Sequence, residues 1–256
     1  MILLTNDDGI NAPGLTAAYE GLAGLDDVMV VAPDMEQSGV AHSITIHTPL
    51  RIRKVLRDGH EFYAVNGSPA DCIKLAVFEL IERLPDAVVS GVNYGANVGV
   101  DTLYSGTVAG ALEGAMLGVP SFAFSLDYRE QLDFSAASGV VRDIYNHFIG
   151  RPLPAGSLLN VNIPALPAAE LRGVMITRMS SASYVESYEK RVDPRGNAYF
   201  WITGSLEDAE RQPGTDINAL ANGFVTVTPL HYDLTEYRVA EQLGGMGAVI
   251  KEMRKS

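Results

Sequence analysis

The sequence predicts an α/β protein: a Rossmann-like, doubly wound, mostly parallel sheet with an antiparallel extension and a protruding β-hairpin arm. Three observations carry that prediction. Short apolar runs alternate with longer helix-compatible stretches through the first half, which is the rhythm of β-α units with buried parallel strands. A charged segment of period two interrupts that rhythm. An aromatic, turn-bearing segment stands apart in the second half.

The buried strands are expected at residues 2–5, 28–32, 86–90 and 120–125. Between them, residues 14–23, 68–83 and 105–117 place apolar side chains at helical spacing. Ser68-Pro69 starts the second of these with a capping hydroxyl and a first-turn proline. Residues 50–55 and 61–65 alternate apolar and polar around Arg57-Asp58-Gly59, so they read as a hairpin that extends the sheet. Further strands are expected at 158–163, 173–178 and 224–228, and a tail helix over 233–253 broken at Gly244-Gly245. In the arm, about 179–212, the turn Asp193-Pro194-Arg195-Gly196-Asn197 precedes Ala198-Tyr199-Phe200-Trp201-Ile202, whose aromatics favour a strand with one sticky face. Such an arm is an interaction element, and it predicts a homo-oligomer.

With 256 residues, 47% hydrophobic and 20% charged, the chain can bury a substantial core. One domain over 1–256 is expected, with a site-bearing half at 1–130, the arm, and a carboxyl-terminal segment from about 231. The formal net charge of -12 argues against a nucleic-acid polymer or an anionic membrane as partner. A single cysteine, Cys72, excludes an intramolecular disulfide and a cysteine cluster for zinc, and the amino terminus carries no leader-like segment. The expected location is the cytoplasm.

Asp7 and Asp8 end the first strand, and open α/β sheets bind ligands beyond the carboxyl ends of their strands. Adjacent acids are tolerable when solvated, when one is protonated, or when a divalent ion neutralises them. Gly9 lets the chain turn so that the two carboxylates need not diverge. Three more segments come to the same rim: 34–39, 90–97 and 104–107. Ser38 offers a hydroxyl and Asn93 a carboxamide oxygen, both hard neutral donors. Two carboxylates with these neutral donors would bring a divalent ion near neutrality and leave it able to accept a phosphate. Tyr104-Ser105-Gly106-Thr107 opens a helix with small residues and hydroxyls, a cradle for an anion. Neither a P-loop nor a dinucleotide fingerprint is present. His42, the histidine nearest a site loop, is a candidate proton donor to a leaving alkoxide.

Taken together, these motifs resemble the SurE (survival protein E) family of nucleotidases. The resemblance is carried by Thr5-Asn6-Asp7-Asp8-Gly9, Val31-Ala32-Pro33-Asp34 with Ser38-Gly39, Gly67-Ser68-Pro69-Ala70-Asp71-Cys72 and Val89-Ser90-Gly91-Val92-Asn93-Tyr94-Gly95-Ala96-Asn97. It continues through Tyr104-Ser105-Gly106-Thr107-Val108, Asn160-Val161-Asn162-Ile163-Pro164, Pro213-Gly214-Thr215-Asp216 and Thr228-Pro229-Leu230. It implies a metal-dependent phosphomonoesterase acting on nucleoside 5′- and 3′-monophosphates, with one divalent ion, Mg²⁺ or Mn²⁺, per subunit. It also implies metal ligands at Asp7, Asp8, Ser38 and Asn93, and a phosphate and substrate set at Asn97, Ser105, Gly106, Thr107, Gly39 and Tyr104. Dimers or tetramers built by exchanging the arm and the carboxyl-terminal segment are implied as well.

On this basis Asp7 or Asp8 would orient or deprotonate an attacking water, with a covalent aspartyl-phosphate as the competing route. Tyr104, Tyr94 and Tyr128 are candidates for stacking on a base. The alternatives are a broader phosphatase or exopolyphosphatase sharing the same site, and a nucleotide-sensing binding module.

Overall fold

Alternation within the first strand sets the layers: Ile2 and Leu4 pack into one hydrophobic cluster and Leu3 into another on the opposite face. The computed structural model describes residues 1–57, 59–127, 133–151, 153–181, 185–205 and 212–244. Its main sheet contains β1 (Ile2–Thr5), β2 (Val28–Pro33), β3 (Ile52–Arg57), β4 (His60–Val65), β5 (Ala87–Tyr94), β6 (Ser121–Leu126), β7 (Ser157–Ile163) and β8 (Val174–Ile176). The ribbon strands are β9 (Val185–Val192) and β10 (Ala198–Ser205), and β11 (Val225–His231) returns to the main sheet. The helices are α1 (Pro13–Leu22), α2 (Pro69–Leu75), α3 (Gly106–Met116), α4 (Ser135–Phe148), α5 (Asp216–Ala221) and α6 (Tyr237–Leu243).

The nine-stranded sheet runs β3-β4-β2-β1-β5-β6-β7-β11-β8. From β4 to β7 all neighbours are parallel, while β3 joins β4 and β11 joins β7 antiparallel. On one face Leu15, Ala18 and Leu22 of α1 and Val141 and Ile144 of α4 cover Val30, Val89, Phe122 and Phe124. On the other, Cys72 and Ile73 of α2 cover Leu3, Val31 and Val88, and α3 packs on Ala123 and Leu158. The chain leaves β1 through α1 towards β2 and leaves β5 through α3 towards β6. These connections diverge, so the carboxyl ends of β1 and β5 flank a topological switch point.

Several elements differ from expectation. The helix that Ser68 caps ends at Leu75 and widens into a π turn over Ala76–Leu80. β5 does not stop at Ser90 but continues to Tyr94, because a register shift against β6 between Ser90 and Asn93 absorbs the glycine. Gly91 lies at φ +128°, where a Cβ would stand 2.2 Å from the Phe124 carbonyl oxygen. α4 and α5 come in addition to the helices expected from the sequence. Among the described residues the arm is a two-stranded antiparallel ribbon whose strands pair only with each other, with Tyr188, Phe200, Trp201 and Ile202 exposed. Residues 182–184, 206–211 and 245–256, parts of the expected arm and tail helix, lie outside the described residues.

The second half is fastened to the first through Asp216, which is fully buried at the start of α5. Its carboxylate accepts from the Gly99 amide at 2.9 Å, the Ser180 amide at 2.9 Å and the Ile217 amide at 2.9 Å. Losing that acceptor strands buried N–H groups in three segments. Asp216→Ala is therefore expected to lower unfolding free energy by about 3 kcal/mol in urea denaturation.

Candidate active site at the switch point

The turn after β1 is built from its own polar groups. Asn6 donates through Nδ2 to the Gly9 carbonyl at 3.0 Å, and the Ala12 amide donates to the same oxygen at 3.0 Å. Gly9 adopts φ +97° and sits under the backbone of Met35, where a Cβ would come within 3.2 Å. Asp7 and Asp8 thereby face two different neighbours. Asp7, buried, accepts a hydrogen bond from the Thr107 hydroxyl in the first turn of α3. Asp8, half-buried, accepts from the Tyr94 amide at the end of β5 at 3.2 Å. The segment after β2 closes a third side, the Gln37 amide donating to the Asp7 carbonyl at 2.7 Å.

Gly106 completes the packing around Asp7. A Cβ there would lie 2.9 Å from both Cβ and Oδ2 of Asp7. Ser38 donates through its hydroxyl to Glu36 Oε1 at 2.7 Å, and Asn93 donates through Nδ2 to the Gly95 carbonyl at 2.7 Å. Each donor is thus committed, which leaves the Ser38 and Asn93 side-chain oxygens as acceptors.

Burial raises both acids. Desolvation lifts Asp7 above the ordinary carboxylate range, with the Thr107 bond opposing it. Desolvation, and next the charge of Asp7, push Asp8 up to about 6. Among the described residues no ion pair reaches either carboxylate. A hard divalent cation fits this set: two under-compensated carboxylates, with a hydroxyl and a carboxamide oxygen free to accept.

The remaining predicted residues are placed as follows. Ser105 is the N-cap of α3 and accepts from the Val108 amide at 3.0 Å. Gly39 sits at φ +68° in the exposed segment that carries Ser38, and the Tyr104 ring is exposed, its carbonyl accepting from the Ala41 amide at 3.0 Å. Tyr94 is exposed, and Tyr128 lies outside the described residues. Asn97 is buried, and its side-chain amide donates to the Ser125 hydroxyl at 2.8 Å. No bond joins Asn97 to Asp7 or Asp8 among the described residues. His42 lies 2.7 Å from the buried Glu113, a contact outside the acidic cluster.

Sequence reasoning gave no role to the residues that anchor Asn97. Asn162 accepts from the Asn97 amide at 2.7 Å, while Asn160 and Asn162 donate to the Asn97 carbonyl at 2.8 Å and 3.1 Å. Both asparagines are fully buried in β7. Two carboxamides at period two inside an otherwise apolar strand were the available signal, since buried polar side chains need partners.

Fold and site together define a doubly wound α/β protein whose switch point pairs a cation-attracting carboxylate cluster with the start of a helix. The chain belongs to the SurE family, whose model, Survival protein SurE, matches residues 2–186. The 5′-nucleotidase SurE of Moorella thermoacetica is 50% identical over 245 residues, covering 95% of this chain and 94% of that protein. That of Syntrophobacter fumaroxidans is 50% identical over 244 residues, covering 95% and 98%. The crystal structure of the SurE protein from Aquifex aeolicus matches with a TM-score of 0.85 at 44% identity, covering 96% of this chain and 99% of that one.

The raised acids have a stability signature. A carboxyl raised on folding costs nothing below its unfolded value of 3.8 and destabilises progressively as pH rises through about 6. Asp8→Asn should therefore stabilise the metal-free protein at pH 8, by about 1–2 kcal/mol after solvent screening of the half-buried group. At pH 4 it should leave stability unchanged, as urea denaturation at the two pH values will show.

Proposed function

We infer that this protein is a 5′-nucleotidase, a phosphoric monoester hydrolase that converts nucleoside monophosphates to nucleoside and phosphate. The observation that carries this reading is the meeting of Asp7, Asp8 and Thr107 at the switch point of a chain half identical to proteins named 5′-nucleotidase.

Asp7, Asp8, Ser38 and Asn93 would hold one Mg²⁺ or Mn²⁺. Such an ion, when bound, supplies charge neutralisation and Lewis-acid polarisation of a phosphoryl oxygen. The chain's own groups divide the remaining work. Asp7 is locked by Thr107 and walled by Gly106, which suits a ligand of fixed geometry. Asp8 is more accessible, which suits the group that orients the attacking water and takes its proton. The start of α3 lies against Asp7 through Thr107 and Gly106, and the positive end of its dipole would favour a phosphate there. Tyr104, exposed beside that helix start, offers a face for the base.

The ribbon and the carboxyl-terminal segment support a homodimer or homotetramer, since both present aromatic side chains to solvent, Trp201 and Tyr237 among them. The free, buried Cys72 fits a cytoplasmic enzyme.

Phosphate release from a panel of nucleoside 5′- and 3′-monophosphates, a sugar phosphate and polyphosphate tests the reading. Nucleoside 5′-monophosphates should be turned over with Mg²⁺ or Mn²⁺ and spared after EDTA treatment. Asp7→Asn should lower kcat by about 10²- to 10³-fold with the fold retained. Faster release from polyphosphate than from any nucleotide would point to the exopolyphosphatase alternative, and no release at all to a binding module.

Gly106→Ala examines the wall behind Asp7. The added methyl should displace that carboxylate and reduce kcat/KM by about tenfold or more, in contrast to Gly139→Ala, where the methyl meets nothing within 4 Å.

A further inference from the structure

Residues 34–51, between β2 and β3, form neither helix nor strand and carry Ser38 and Gly39. Met35, Ile44 and Ile46 within this segment are exposed, so apolar burial does little to hold it. Polar contacts hold it instead. Besides the Gln37 and Ala41 bonds already described, Ser68 donates its hydroxyl to the Ser43 carbonyl at 2.7 Å. Thr45 donates its amide to Asp71 at 3.0 Å and its hydroxyl at 2.6 Å.

One contact differs in kind. Glu113, on α3 and 3% exposed, lies 2.7 Å from His42 Nε2 through one carboxylate oxygen and 2.8 Å from Lys74 Nζ through the other. A carboxylate this deep is retained only when paired. His42 is also preceded by Ala41 at φ +52°, a conformation that alanine adopts when its surroundings impose it. The same helix therefore grips two parts of the site. Thr107 fixes Asp7, and Glu113, six residues on along α3, fixes the segment four residues beyond Ser38.

We propose that the His42–Glu113 contact is a positioning device for the metal site, registering the Ser38 segment against the helix that orients Asp7. His42 is thus a positioning residue for the reaction and touches neither ion nor substrate. This rests on the assignment of Ser38 as a metal oxygen donor.

Mn²⁺ affinity of the full chain, read by electron paramagnetic resonance without substrate, tests it. His42→Ala should weaken binding by about tenfold, the scale on which outer-shell partners act. Ser38→Ala should weaken it similarly, and the double variant should be no worse than Ser38→Ala alone, because His42 acts through Ser38. His42→Gln, which keeps an N–H donor for Glu113, should bind within about twofold of the unsubstituted protein. Lys74→Met removes the other partner of Glu113, and should lower the melting temperature while leaving Mn²⁺ affinity within about twofold.

Unchanged Mn²⁺ affinity in His42→Ala, or losses that multiply in the double variant, would overturn the proposal while leaving the metal site standing. An equal loss in Lys74→Met would overturn it too, by assigning the effect to general loosening. If the unsubstituted protein does not bind Mn²⁺, or Ser38→Ala binds it undiminished, the metal-site assignment falls and the proposal with it.

Discussion

Two adjacent carboxylates withdrawn from water, with no cationic partner among the described residues, set the terms for everything around β1. Asp7 is held by a hydroxyl and Asp8 by one backbone amide, and neither bond neutralises a charge. Desolvation therefore raises both acids, and the metal-free site is a source of instability at neutral pH. A fold keeps such a liability when another species relieves it. A divalent ion held by Asp7 and Asp8 would do so, and the two neutral oxygens of Ser38 and Asn93 would add no further charge against a phosphate.

The rest of the molecule reads as support for that pair. The switch point brings β1, β5 and the start of α3 together from separate stretches of sequence. Asn160 and Asn162 in β7 and Asp216 at α5 fasten the 97–99 region from behind, so the second half of the chain holds a loop of the first. Glu113 holds the Ser38 segment from the opposite side. None of these anchors needs to meet substrate, and they would act by holding the rim in place.

Much of this was legible in the sequence. The carboxylate pair was readable because acids directly after a buried strand are hard to explain as packing, and Ser68-Pro69 announced its helix, where the structure adds a capping box with Asp71. Other features were not. Asn93 reads as a loop residue, whereas it lies in β5, because a register shift against β6 carries the strand past its glycine. The buried stripe of α4, Ala137, Val141, Ile144 and Tyr145, keeps helical spacing and was available in the sequence, yet no N-cap side chain marks where the helix starts. Ser105 looks like a phosphate donor in sequence, and in the fold its oxygen caps α3. Glu113 looks like an ordinary helix acid, since its partners His42 and Lys74 are 71 and 39 residues away. What local pattern cannot supply is long-range pairing, and the anchors of this site are all long-range.

The central claim is that a divalent ion relieves the strain of Asp7 and Asp8. Calorimetric titration of the protein with Mn²⁺ at pH 6, in buffers of different ionisation enthalpy, measures it most directly. With the Asp8 carboxyl pushed up to about 6 by burial and the charge of Asp7, binding should release about half a proton or more per ion, and less as the pH is raised. Binding with a heat independent of the buffer would mean that no carboxyl is displaced from its protonated form, and would contradict the account.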